Sequence, residues 1–252
     1  MSGHKSKILP RIVLVLLIIN LWFLFLAIYD LIPSVNLTKV ILQLPFTSSN
    51  LYEPFYNFFK QNYYAYFFTL YILYLFLYIF WLLIPFYFLC KKDLKTYDKL
   101  VLSGIMLLFL AMLTYSIFYV EPPRFCYNLN LYPYDDFSKK FREDVFALPS
   151  MHVAVPALIY LVLRKTKYKK LSLLALLYTI IISIVVIVLV LHWIYDIFAG
   201  IIYAIISVRL FKEVYPYYLR FINALQDNLT KEHLIYLIIM LSTLSILFLI
   251  IN

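Results

Sequence analysis

Long apolar runs separated by short polar connections dominate the chain. Six runs approach or exceed the roughly 20 residues that a membrane-crossing helix needs. They are Ile8–Tyr29, Tyr63–Leu89, Leu100–Val120, Leu171–Leu191, Trp193–Leu210 and Leu234–Ile251. A seventh, Leu148–Leu163, is shorter, with a histidine near its start and Pro156 inside, and the basic cluster Arg164, Lys165, Lys167, Lys169 and Lys170 ends it sharply. No Asp or Glu interrupts the middle of any run. The pattern predicts an all-α, polytopic transmembrane helical bundle, with a six-helix core and a seventh, C-terminal helix. The first run has no small-residue cleavage site and reads as a retained helix rather than a removed leader. No internal repeat or low-complexity tract divides the chain, so residues 1–252 read as a single membrane domain.

Composition agrees. The chain is 65% hydrophobic and 14% charged, where soluble domains carry about a quarter charged residues. The formal charge of +9 does not point to nucleic acid, because it is distributed by connection. The N-terminus, residues 90–99, 164–170 and 211–233, with Arg209, hold 16 of the 22 Lys and Arg; residues 30–62 and 121–147 hold six. The positive-inside rule assigns the first set to the cytoplasm. Cys90 and Cys126 then lie at opposite membrane faces, too far apart for a disulfide. Residues 30–62 carry Phe46, Tyr52, Phe55, Tyr56, Phe58 and Phe59. They read as an interfacial aromatic belt or as a lid over a lipid-binding cleft.

Polar groups at membrane depth are costly and are functional candidates. His4 and His233 lie in solvated segments, but His152 and His192 do not. His152 follows Pro149 and Ser150, a helix-start signature with Ser150 at the N-cap. Its position in a first helical turn suits an anion. His192 precedes Asp196 by four residues, one face of a helix. Asp196 can hold one ring nitrogen and leave the other free as a nucleophile. Arg124 opens the outer connection after the third run. The topology places Arg124, Ser150, His152, His192 and Asp196 at the same, non-cytoplasmic face. With three glycines in the chain, no glycine-rich phosphate loop is available, and side chains and helix ends must do that work.

These residues resemble the type 2 phosphatidic acid phosphatase superfamily. Pro149-Ser150-Met151-His152 matches its Pro-Ser-x-His motif, His192 with Asp196 its His-x3-Asp motif, and Pro122-Pro123-Arg124 its arginine-bearing first motif. The resemblance covers about residues 60–210. Two cations of the common motifs are replaced here, by Ile117 and Val186, and the chain looks closer to the branch similar to inositol phosphorylceramide synthase. Lys139, Lys140 and Arg142 are candidates to restore that charge. The resemblance implies a lipid phosphate or polyprenyl diphosphate substrate and a phosphohistidine on His192, oriented by Asp196. It also implies His152 as general acid, Arg124 and Ser150 as substrate-binding groups, and neither metal nor cofactor. Phosphatase and phosphotransferase chemistry share that intermediate, and oligomeric state is not legible. From the residues alone, a bis-histidine haem bundle and a non-catalytic lipid-binding protein stand as alternatives.

Overall fold

A computed structural model describes residues 8–129 and 146–251. The described chain is almost wholly helical. Among the described residues, five helical stretches are long and apolar enough to cross a bilayer: Leu9–Leu31, Tyr63–Cys90, Leu94–Ile117, Lys169–Val188 and Ile194–Asn228. The protein is an integral membrane protein of the all-α class. Lys139, Lys140 and Arg142 lie outside the described residues. The chain divides into two compact units, Pro33–Arg209 and a second one formed by residues 1–32 with 210–252.

In the first unit the helix Met151–Leu163 is the packing centre. It has 13 residues, about 20 Å of rise, and packs against the helices Leu94–Ile117 and Lys169–Val188. Val153, Ala154, Ala157, Leu158, Val162 and Leu163 on it are all buried. Pro156 has no N–H to give the His152 carbonyl, so this helix leaves one of its backbone acceptors without its usual partner. The helix Lys169–Val188 shows the complementary distribution. Leu173, Leu177, Ile180 and Ile184 are exposed, while Ala175, Tyr178, Ile182 and Val186 are buried. A helix apolar on every side with half its surface uncovered is one whose outer face meets lipid.

Boundaries moved where capping outweighed hydropathy. The run expected to begin at Leu100 is helical from Leu94, because Asp93 accepts a hydrogen bond from Thr96 N at 3.2 Å and starts the helix at its polar end. Residues 211–228, expected as a connection, continue the helix Ile194–Asn228. The stretch Tyr63–Cys90 includes a π-helical segment, Phe68–Phe76. Such segments leave carbonyls for other donors, and Leu73 O accepts from the Tyr178 hydroxyl at 3.1 Å.

Residues 33–61 form an ordered cap. Val35–Asn36 pairs in parallel with Phe118–Tyr119. A short helix, Thr38–Ile41, follows, and then Ser49–Gln61, started by Ser48, whose side chain accepts from Asn50 N. Tyr52 is fully buried in a cluster with Ile41, Val120, Leu129, Ala147, Val190 and Trp193.

In the second unit, the helices Leu9–Ile28 and Lys231–Ile251 pack side by side and run in the same direction. Val13, Leu234 and Leu241 share one buried cluster, and Asn20 Nδ2 donates to Leu241 O at 3.0 Å and to Ser245 Oγ at 3.1 Å. An amide that bridges two apolar helices in this way holds their register.

Candidate active site

His192 sits in a short loop, not on a helix as its spacing from Asp196 suggests. The helix Lys169–Val188 ends before it and the next begins at Ile194. The reversal depends on Val190, a fully buried residue with φ 61°. A β-branched residue in the left-handed region is strained. Here Leu191 N and His192 N both donate to Val186 O, which holds the reversal closed. Trp193 anchors the far side of the loop. It is fully buried, donates from Nε1 to Glu121 O at 2.8 Å, and meets Tyr52 edge to face at 5.5 Å.

The His192–Asp196 contact therefore has a different origin from the expected helical face. Asp196 occupies the third position of the new helix and its Oδ2 reaches back to Trp193 N at 2.7 Å, the carboxylate half of a capping box. The same oxygen lies 3.3 Å from His192 Nδ1, and Ala147 O lies nearer, at 2.8 Å. Both neighbours of Nδ1 are acceptors, so Nδ1 carries the proton and Nε2 keeps its lone pair. Ala147 O is a residue that the sequence did not reveal, since a backbone carbonyl leaves no trace in residue type.

The turn ahead of His152 is held from several sides. Ala147 N donates to Val120 O at 3.2 Å, Ser150 N to Asp196 O at 2.9 Å, and the Tyr115 hydroxyl to Pro149 O at 3.0 Å. Ser150 occupies the N-cap with extended backbone, but its hydroxyl makes no capping bond. It is fully buried and its Oγ has no hydrogen-bond partner among the described residues. The expected cap is thus a hydroxyl left available to something else. Gly200 makes the fit possible, since a Cβ there would lie 2.5 Å from Ser150 O and 3.5 Å from Ala154 Cβ.

His152 projects from the first turn of Met151–Leu163. Its ring stacks on Tyr74 at 4.2 Å and lies 4.4 Å from the Tyr78 ring. The Tyr74 hydroxyl is 3.1 Å from His152 Nδ1. Sequence reasoning missed both tyrosines. Their four-residue spacing gave no usable signal, because Tyr71, Phe67, Phe68 and Phe76 crowd the same run with aromatic rings.

The two imidazoles meet, with ring centroids 6.1 Å apart and planes at 55°. Arg124 is buried, 3% exposed, in the short helix Pro123–Cys126, and its backbone N–H donates to Val190 O at 3.2 Å. That bond ties it to the loop that carries His192. Of the two replaced cations, position 186 is a buried valine at the base of that loop and position 117 is exposed at a helix end.

No curated protein and no solved structure matches the chain. A family model described as the PAP2 superfamily matches residues 50–210, which takes in the Ser49–Gln61 helix of the cap from its second residue, and Arg124, His152, His192 and Asp196. The chain belongs to the PAP2 superfamily, the type 2 phosphatidic acid phosphatases, whose members are generally phosphatases or phosphotransferases acting on lipid phosphates.

Proposed function

We propose that the protein is a membrane phosphoryl-transfer enzyme that cleaves lipid phosphates or polyprenyl diphosphates through a phosphohistidine on His192. The observation that carries this is the pairing of two rings 6.1 Å apart, one of them with Nδ1 bound to two acceptors. The Nε2 lone pair of His192 forms a bond to phosphorus as the P–O bond to the leaving group breaks, an ester bond in a lipid phosphate and an anhydride bond in a diphosphate. The leaving oxygen takes a proton from protonated His152. His192 becomes cationic, which the Asp196 carboxylate and Ala147 carbonyl stabilise. Arg124 and the Ser150 hydroxyl hold the charge that develops on the other phosphoryl oxygens. Water, deprotonated by the now neutral His152, attacks phosphorus, the N–P bond breaks and phosphate leaves.

The lysine and arginine distribution supports an active site on the extracytoplasmic face, with the N-terminus in the cytoplasm. The test is phosphate release from a panel of phosphatidic acid and polyprenyl diphosphates by the purified protein. His192→Ala should lose at least about a thousandfold in rate, as loss of a nucleophile does, and acid-labile phosphate should appear on wild type alone. Full activity in His192→Ala would overturn the mechanism.

A second reading is a phosphotransferase that passes a phospho-headgroup, such as phosphoinositol, to a lipid hydroxyl, as in the branch similar to inositol phosphorylceramide synthase. The ordered cap beside His192, with Tyr52 against Trp193, favours it, because a covered intermediate is shielded from water. Label transferred to an acceptor lipid supports this reading; label found only in a water-soluble product opposes it.

A further inference from the structure

At the other end of Met151–Leu163 from the histidines lies a cavity of about 800 Å³. One wall is the end of the stretch Tyr63–Cys90, with Leu83 and Tyr87; another is Leu174 of the helix Lys169–Val188; and Lys167, Lys169 and Lys170 stand at its rim. Leu83, Tyr87 and Leu174 are 54%, 44% and 56% exposed, so an apolar slot is open to the lipid side. The nearby carboxylate of Asp93 attracts Lys167 but is itself engaged by hydrogen bonds. It accepts from the Tyr168 hydroxyl at 2.8 Å, Thr96 Oγ1 at 3.0 Å and Thr96 N at 3.2 Å. Of the lysines, Lys169 gives one N–H to Arg164 O, which leaves two of its three donors.

We propose that this cavity binds an anionic phospholipid of the bilayer, its phosphate among the three lysines and an acyl chain along Leu83 and Leu174. Two features of the site select that occupant. The charge complementarity calls for an anion, and the slot, set at the end of membrane-crossing helices, calls for a chain attached to it. Neutral lipid satisfies the slot and leaves the lysines with water; a free anion satisfies the lysines and leaves the slot empty. The site is independent of the histidine centre, about 20 Å away along one helix, so it does not stand or fall with the reaction proposed there.

The experiment is native mass spectrometry of the full chain released from micelles doped equally with phosphatidylglycerol and phosphatidylcholine. Wild type should retain phosphatidylglycerol preferentially. Lys167→Gln/Lys170→Gln should weaken that retention roughly thirtyfold, at the strength of two membrane-level lysine contacts. Lys95→Gln/Lys165→Gln, an equal charge change at the same end of the unit but away from the cavity, should change it less than about twofold. Leu174→Trp fills the slot with every lysine in place and should lower retention too. Millimolar inorganic phosphate should not displace the lipid. Thermal midpoints of the variants, read alongside, should match wild type, since all the lysines involved are exposed. Equal weakening by the two lysine pairs, unchanged retention in Leu174→Trp, displacement by phosphate or absence of any preference would each overturn the proposal.

Discussion

Tyr74 is the residue whose part in the site is easiest to isolate. Its hydroxyl meets His152 Nδ1 and its ring stacks on the same imidazole. Tyr74→Phe keeps the stack and removes the hydroxyl, so the fold should hold while the proton on His152 is no longer directed to one nitrogen. The expected outcome is a loss of about tenfold in kcat, with little change in KM and an altered pH profile on the limb that reports His152. Steady-state rates across pH 5–9 check it, and an unchanged profile would make Tyr74 a packing residue. His192, Asp196 and His152 stood out as candidates because ionisable groups in an apolar run do, although the shared helix face expected of His192 and Asp196 is not how they meet. Tyr74, Tyr78 and the Ala147 carbonyl did not stand out. A tyrosine among 25 carries no such contrast, and a carbonyl is common to every residue.

At the scale of the element, two contacts decide where helices begin and how closely they approach. Gly200→Ala would press a methyl group against the Ser150 carbonyl, a backbone atom that no rotamer change can move. The cost should be about 1–3 kcal/mol, with Ser150 and His152 displaced together. A lower thermal midpoint and a larger proportional loss of activity are expected, and a melting curve beside a rate assay would show both. Asp93 controls the other contact. Burial alone would raise its pKa, but hydrogen bonds from Tyr168 and Thr96 outweigh it and hold the carboxyl below its ordinary value. A lowered carboxyl pKa contributes stability above the unfolded value, and that contribution is lost as pH falls through the folded one. Wild type should therefore lose part of its stability below about pH 4, whereas Asp93→Ala, weaker by about 1 kcal/mol at neutral pH, should show a flatter acid limb in the same melts. The early start of Leu94–Ile117 was hidden from a reading by hydropathy because the cap lies outside the apolar run.

At the scale of the molecule, the all-α, membrane-crossing character was legible because lipid demands long uninterrupted runs. The extension of Ile194–Asn228 beyond its apolar part was not, since Lys212, Glu213 and Arg220 look like a solvated loop when only hydropathy is weighed. Sidedness can be checked with the chain's own cysteines. Cys90 is exposed at the end of Tyr63–Cys90, and the orientation proposed above from the charge distribution would put it in the cytoplasm. In sealed right-side-out vesicles an impermeant maleimide should label it only after permeabilisation. Cys126 should react slowly on either side, because burial and then the Glu121 charge push its thiol up to about 12, and the thiolate is the reactive form. Rapid labelling of Cys90 in intact vesicles would invert the orientation.

Asp196 gives one carboxylate oxygen to two tasks, since Oδ2 both starts the helix at Trp193 N and faces His192 Nδ1. Damage to one is damage to the other. Relatives that have given up the reaction but still fold well should thus have discarded a ring at 152 or 192 and kept the acid, so an aspartate found here in a new sequence testifies to architecture before it testifies to turnover.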